Sequence, residues 1–402
     1  MGSPNAATTS VLVTSGEERV SLAAVRALAD AGHRVHVCAE GIPSLAGASR
    51  HCVSEHRVGN PVRDADAFVK EVAGVVDVLG VDVLLPMTDA AALAILRERE
   101  SFPQTCVPLP ARPLYERLSD KQEVAQFARG LGMRVPEGCE VADGSGVDGL
   151  DLTGMTFPVV VKPARSVGTR DGRLETHSVG YADSPEEVRK SLRSLPSSAF
   201  PVLVQEKIAG RGLGLFLLVW DGQLLGAFAH RRIREKPPSG GVSVLRESVP
   251  LPSALLDKCR RLLKAFDWQG VAMIEFKGES LSNRPALMEV NARFWGSLQL
   301  AIDAGVNFPD LLVAAVLGRP VRPVLTYRVG VRSRWFWGDV DHLWARLRYS
   351  RAQLRLPPNA PGRIAAIADF AKGFGPANRS EILRWDDPRP AVLETLRRVR
   401  LR

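Results

Sequence analysis

Glu275, Glu289, Asn291 and Arg293 are the residues of this 402-residue chain whose types and spacing are most suggestive of chemistry. They lie in GVAMIEFKGESLSNRPALMEVNARFWGS, residues 270–297. Two short apolar runs, Val271–Phe276 and Ala286–Val290, have the length and composition of strands, and Ser282-Asn283-Arg284-Pro285 between them is a turn signal. If the runs pair as neighbouring strands, Glu275, Glu289 and Asn291 project toward one point. Glu289 and Asn291 are two apart and share a face. Two carboxylates and an amide oxygen form a hard oxygen set suited to Mg²⁺, which takes few protein ligands and keeps phosphate oxygens and water. Arg293, two residues further, puts a guanidinium within reach of the same phosphates. The competing reading is an amphipathic hairpin whose charges face solvent.

Further cations stand at strand and helix ends. The stretch Leu118–Pro136 predicts a helix capped by Ser119 or Asp120. Lys121 sits in its first turn, where a lysine has the wrong sign for the macrodipole. Phe157–Pro163 is an apolar strand carrying Lys162 near its end, followed by a polar, glycine-bearing loop from Ala164 to Gly172. Such a loop offers backbone N–H groups and cations to a triphosphate, although it is not the GxxxxGK[ST] loop. The strand Pro201–Ile208 ends in Gln205-Glu206-Lys207-Ile208, whose free backbone groups can present an amide edge to a purine or simply end a strand. Leu215–Trp220 and Gln223–His230 predict a hairpin across Asp221-Gly222, a type I′ signal. The run from His230 to Lys236 is dense in cations. There Arg232 and Arg234 share one face and Arg231 takes the other, ahead of the loop from Pro237 to Gly241 and of Arg246-Glu247-Ser248.

The elements that must position these residues begin with a β–α–β opening: strand Ser10–Thr14, helix Val20–Ala31, strand Arg34–Ala39. Helix Asp66–Leu79 and strand Val81–Pro86 continue it, without a GxGxxG fingerprint. Asp89 follows that strand, where open α/β sheets place ligands; it either touches substrate or caps the helix Ala90–Glu98. Pro103, Pro108, Pro110 and Pro113 mark a domain boundary. The last part of the chain carries aromatic residues at 335–337 and helical patterns at His342–Ser350, Ile364–Ala371 and Pro390–Val399, broken at Pro357–Gly362.

Composition narrows the class. The chain is long enough for two to three domains. No apolar run approaches membrane-spanning length, and MGSPNAATTS has neither a basic n-region nor the serine or threonine of a myristoylation motif. Five scattered cysteines without a CxxC pair argue for reduced thiols and a cytoplasmic setting. The net charge is +9, and residues 330–402, with 15 Lys and Arg against 7 Asp and Glu, hold +8 of it. These arginines are interleaved with apolar residues, which points to a solvated helical face or a lid over a phosphate-bearing site more than to nucleic acid.

Taken in order, the helix-cap lysine, the strand-end lysine with its glycine loop, QEKI-AG and E…E-x-N-x-R resemble the ATP-grasp superfamily. HRRIRE-x-PPSGG-x-S-x-LRES and EVNARFWGSLQLAI look like its predicted carboxylate–amine ligase branch. The resemblance covers residues 8–325. It implies an α/β and α+β chain: an open α/β pre-ATP-grasp domain (1–112), two α+β subdomains clamping ATP (113–200 and 201–326), and a basic helical C-terminal extension (327–402). It further implies Lys121 and Lys162 on the ATP phosphates and Gln205, Glu206 and Ile208 at adenine. Mg²⁺, with Mn²⁺ as an alternative, would rest on Glu275, Glu289 and Asn291, and Arg293 would stabilise phosphoryl transfer. Arg231, Arg232 and Arg246 are candidates for the acceptor carboxylate or the tetrahedral intermediate, with Ser297 and Asp89 as further substrate candidates. Two departures stand out: Gly212 occupies the position where the family often has a carboxylate for the ribose, and the flap SVGTRDGR lacks a dense glycine run. The implied activity is amide formation from an amino-acid-like carboxylate and amine through an acyl phosphate. Carboxylase or kinase-like chemistry, or a non-catalytic nucleotide- or nucleic-acid-binding protein, are the alternatives. No membrane or nucleic-acid partner is expected, and a homodimer stays open.

Overall fold

The computed structural model describes residues 8–170, 173–357, 360–375 and 377–400. Its first layer is a parallel sheet ordered Cys52–Arg57, Arg34–Ala39, Ser10–Val13, Val83–Leu85. The central strand SVLV is buried along its whole length, as continuous apolar runs in parallel sheets are. The outermost strand, CVSEHR, has no apolar run to announce it. It is a half-exposed edge, and only its neighbour's free ladder makes it a strand.

A second, antiparallel sheet runs Gly138–Val141, Val202–Glu206, Val159–Pro163, Gly180–Ala182. Its valines pack with Val188 and Leu192 of the helix Pro185–Arg193 into a core of their own. A separate two-stranded ribbon, Val167–Arg170 with Arg173–Thr176, stands at its rim. Asp171 and Gly172 of the expected phosphate loop, the Pro358–Asn359 breaker and the N-terminal segment 1–7 lie outside the described residues.

The largest sheet has seven strands in the order Ala286–Asn291, Gly270–Gly278, Arg211–Trp220, Gln223–Lys236, Val242–Ser248, Arg332–Arg334, Asn378–Ser380. The expected hairpin is present, with Asp221 and Gly222 both at positive φ (47° and 72°), as a type I′ turn requires. Both larger apolar clusters run through this sheet and the parallel one. One carries Leu12 with Leu215 and Ile274, the other Val13 with Phe216 and Trp295.

Two segments differ from expectation. The segment around Pro113 is not an irregular exit: Pro113 lies in the first turn of the helix Arg112–Ser119, where its missing N–H leaves no bond unmade. Asp120 then caps a second helix, Lys121–Gly130, accepting from the amides of Gln122 and Glu123. The C-terminal extension is also more than helical. Beside Phe336–Arg348, Arg363–Lys372 and Arg389–Arg400 it supplies the last two strands of the large sheet. At three polar residues each, those strands are too short to show any periodicity.

Ion pairs fasten this extension to the rest of the chain. Arg26 of the first helix, Arg19–Asp30, donates from Nε to Asp387 (2.8 Å), and Ser49 Oγ donates to the same carboxylate at 2.6 Å. The Asp387 carboxylate is nearly inaccessible. Burial pushes its pKa up, but Ser49, the Arg50 amide and Arg26 outweigh burial and hold it below the ordinary aspartate value. A depressed carboxylate supplies stability that is complete above its unfolded-state pKa and is lost as pH falls through the folded one. Asp387→Asn is therefore expected to lower unfolding free energy by about 3 to 5 kcal/mol, because Arg26 remains buried without a counter-charge. Urea unfolding at pH 7 checks this, and the gap to the wild type should shrink on acidification.

Candidate active site

Glu275 and Glu289 face each other directly across the antiparallel pair Gly270–Gly278 and Ala286–Asn291, and a bulge follows at Glu275/Phe276. Opposed like charges destabilise a ladder, so the site must supply cations. Arg232, from the strand Gln223–Lys236, donates from Nη2 to Glu275 Oε2 at 2.5 Å and from Nη1 to Glu235 Oε1 at 3.0 Å. Lys121 Nζ lies 3.5 Å from Glu289 Oε2. It also donates to Ser166 Oγ (3.2 Å). Far from being an exposed helix-start lysine, it is buried, and the Asp120 cap beside it offsets its unfavourable position. Lys162 Nζ donates to the Met288 carbonyl at 3.3 Å.

The two carboxylates diverge in ionisation. Burial raises Glu275 above the ordinary glutamate value despite Arg232. Burial also acts on Glu289, but Lys121, Lys162, Arg232 and Arg293 overcome it and hold that group below its usual value. Asn291 stands on the same strand, its Nδ2 3.5 Å from Glu289 Oε1. Among the described residues no three His, Cys, Asp or Glu side chains gather as a metal cluster. A divalent cation here would rest on two carboxylates and the Asn291 amide oxygen, leaving its other positions to phosphate or water. That donor set fits Mg²⁺ or Mn²⁺.

Arg293 is fixed from the opposite side. Its Nε donates to Asp89 Oδ2 at 2.7 Å, its Nη1 to the Phe294 carbonyl at 2.9 Å, and its Nη2 to Asn291 Oδ1 at 3.4 Å. Tyr115 Oη donates to the other Asp89 oxygen at 2.8 Å. Asp89 therefore neither caps its helix, a job done by Thr88, nor stands free for substrate. It ties the end of the parallel sheet to Arg293.

Lys162, Arg232, Glu235, Glu275, Glu289, Asn291 and Arg293 line a cleft of about 700 Å³ between the two antiparallel sheets, and Lys121, Asp89 and Tyr115 line a cavity that adjoins it. At one end are Val160, Tyr181, Lys207, Ile208, Met273 and Met288. Gln205 is buried on its strand beside Gly138 and Val160, and the Glu206 amide bonds the Glu137 carbonyl (2.8 Å). Ile208 and Lys207 are thus the linker residues that reach the cleft. Gly212 has a steric reason: a Cβ there would come within 2.6 Å of Arg232 Cδ and 3.0 Å of Glu235 Oε1. The neighbouring strand thereby brings a carboxylate, Glu235, to the place where the sequence shows none.

Two of the three remaining substrate candidates fall elsewhere. Arg246 is fully buried against Glu381 (2.6 Å), so no substrate reaches it. Arg231 points to the other face, where it and Arg332 share Glu247. Ser297 does line the cleft, 3.4 Å from His230 Nδ1. His230, buried against the edge of Phe216, is pushed by burial well below the ordinary histidine value and is neutral. Sequence reasoning missed Tyr115, Glu235 and Trp335. Tyr115 carried no motif signal, Glu235 stood in the HRRIRE run without a role of its own, and Trp335 lies in the extension, where no single residue had been given a role.

With this geometry in hand, comparison with known proteins is informative. Residues 199–337 match the family model described as ATP-grasp in the biosynthetic pathway with Ter operon. No curated protein matches the chain in sequence. Among solved structures, it is similar to an L-amino acid ligase from Bacillus licheniformis, at 15% identity and a TM-score of 0.59 over 80% of this chain and 79% of that one. A biotin carboxylase from Campylobacter jejuni gives 14% identity and a TM-score of 0.61 over 81% and 74%. N5-carboxyaminoimidazole ribonucleotide synthetase from Thermus thermophilus gives 16% and 0.55 over 78% and 79%. The molecule is an ATP-grasp protein by fold. The matched segment contains Glu275, Glu289, Asn291 and Arg293.

Burial, with Lys121 nearby, lowers Lys162 to about 8, even though Glu289 opposes the shift. A depressed lysine is charged below that value and neutral above it, and an anionic ligand favours the charged form. Nucleotide affinity should therefore fall as pH rises through 8, by up to about eightfold between pH 7.5 and 9. Lys162→Arg should flatten the dependence. Titration of ATP by calorimetry in EDTA, which removes metal binding from the comparison, checks both.

Proposed function

We propose that this chain is an ATP-dependent ligase joining a carboxylic acid to an amine through an acyl phosphate. The observation that carries the reading is the meeting of three cavities around Glu289, Asn291 and Arg293. The main cleft shares Glu289 and Asn291 with a cavity of about 430 Å³ beside Lys121. It shares Glu18, Arg293 and Gly296 with another of about 440 Å³ at the end of the parallel sheet. A nucleotide needs one of these spaces; a reaction that joins two further molecules needs the others.

In this reading the adenine lies at Lys207 and Ile208 and the ribose meets Glu235. The triphosphate runs along Lys162 and Lys121 toward Arg293. A divalent cation on Glu275, Glu289 and Asn291 supplies charge neutralisation at the phosphates. A carboxylate oxygen attacks the γ-phosphorus and ADP leaves. The amine nitrogen then attacks the acyl carbon, and phosphate departs with the acid's oxygen. Phosphoryl transfer asks the protein for positioning and charge more than for covalent chemistry. Lys121, Lys162 and an Arg293 locked by Asp89 supply both. A carboxylase-type reading, in which bicarbonate is the acid, fits the same machinery and the fold likeness to carboxylases.

Hydroxylamine separates the readings, since it intercepts acyl phosphates of organic acids as hydroxamates, which form coloured complexes with added ferric iron. With Mg²⁺, ATP and a panel of amino and organic acids, the expected result is hydroxamate formation that depends on one class of acid. It should disappear in Glu289→Ala. ADP release stimulated only by bicarbonate, with no hydroxamate, would instead establish the carboxylase-type reaction.

A further inference from the structure

One end of the cleft is built in part by the C-terminal extension, through Trp335. Trp335 follows the strand Arg332–Arg334; its amide bonds the Val244 carbonyl at 2.8 Å and its Nε1 donates to Glu394 at 2.7 Å. Its ring faces the cleft between two cations. The Arg19 guanidinium lies 3.9 Å from the ring centroid and Lys236 Nζ 5.5 Å. Both cations are themselves anchored to the extension, Arg19 by Glu381 (2.6 Å) and Lys236 by Asp341. Behind them, His230 Nε2, Ser243 Oγ and Trp295 Nε1 belong to cleft-lining residues and are buried without a hydrogen-bond partner among the described residues. Buried polar groups are rarely left unpaired.

The chemistry of this end is one-sided. Arg19, Lys236 and the Trp295 indole only donate, and the serine hydroxyls can donate. Seven cationic side chains line the whole cleft against four carboxylates. The adjoining cavity at the end of the parallel sheet has the opposite character, with Glu17, Glu18, Glu40 and Asp89 in its wall. A carboxylate belongs at the donor-rich end.

We infer that the C-terminal extension completes the acid-binding pocket: Trp335, Arg19 and Lys236, with the Trp295, Ser243 and His230 polar atoms, hold a carboxylic acid with an apolar or aromatic body. The inference rests on the ligase reading for what the acid is used for, but not for its binding. It also gives residues 327–402 a task, since removing Trp335 removes both a wall and the surface against which Arg19 is held.

The test uses the full-length chain saturated with Mg²⁺ and the non-hydrolysable analogue AMP-PNP. Ligand-observed saturation-transfer NMR reports on benzoate, phenylpyruvate, L-phenylalanine, L-leucine and L-glutamate. At least one apolar or aromatic acid should bind the wild type. Trp335→Ala should weaken that acid by about tenfold or more, as loss of a buried aromatic contact does, with AMP-PNP affinity unchanged. Trp335→Phe should keep most of the binding, and Lys236→Gln, which leaves the ring in place, should also weaken the acid selectively. Acid affinity equal in Trp335→Ala and wild type, or no panel member binding the wild type, would overturn the inference. If Trp335→Ala does not fold, Lys236→Gln binding the acid as wild type does would overturn it equally. Acid binding that follows these variants while hydroxylamine yields no hydroxamate would leave the pocket standing and remove the ligase reading.

Discussion

Two part-buried carboxylates set face to face are the constraint around which this structure is arranged. Glu275 and Glu289 occupy opposite positions on paired strands, an arrangement that by itself opposes pairing. It persists because cations converge from different parts of the chain. Lys121 comes from a helix start, Lys162 from the smaller sheet, Arg232 from a strand two places along the sheet from that of Glu275, and Arg293 from just beyond the end of the strand that carries Glu289. The divergence of the two carboxyls follows: Glu289, ringed by four cations, is held ionised, whereas Glu275, relying mainly on Arg232, is raised by burial. The smaller sheet has its own apolar core, and the charges it carries into the site are part of what joins it to the rest. Neutralising the carboxylates with a cation, or the lysines with phosphates, would act directly on that junction.

The basic extension reads differently once its partners are known. Arg334 and Arg234 meet on Asp339, Lys236 and Arg398 on Asp341, and Arg384 reaches Asp303. Much of the positive charge concentrated after residue 330 is thus matched internally by acids, several of them inaccessible to water. Buried pairs of this kind add little net stability compared with apolar packing, but removing one partner is costly. They fix where the extension sits. That is the property a segment needs if it places a side chain, Trp335, at the edge of a reaction cleft.

The sequence was most legible where a local rule and the tertiary fold agree. Residues 270–297 showed two strands and a turn, and the 2-residue period put Glu289 and Asn291 on one face. The Asp221-Gly222 turn declared its hairpin, and the apolar run at 10–13 declared a buried strand. It was least legible where a residue's role comes from a distant partner. Asp89 looked like a cap or a substrate contact because its spacing cannot reveal Arg293, some two hundred residues later. Arg246 sat in a motif yet turns away toward Glu381. The short strands at 332–334 and 378–380 exist only because a sheet edge offers them a ladder. The lysine pair shows both sides of this: a lysine near a strand end and one in a helix's first turn became candidates only through the resemblance, and what local rules could not show is that Lys121 lies 3.5 Å from Glu289.

Gly212 shows how one departure can be compensated by topology. The resemblance led to the expectation of a carboxylate two residues past Gly210. The structure has no room for any side chain at Gly212, because Arg232 and Glu235 lie over it. Those two side chains are paired at 3.0 Å, and Arg232 is also the partner of Glu275. One guanidinium therefore connects Glu235, proposed above for the nucleotide's sugar, to Glu275, proposed for the cation at its phosphates. A ligand that draws Glu235 away weakens the neutralisation of Glu275; a cation that binds Glu275 frees Arg232 for Glu235 or for an anion. In the proposed reading, occupancy at the two ends of the cleft would be coupled through that shared charge.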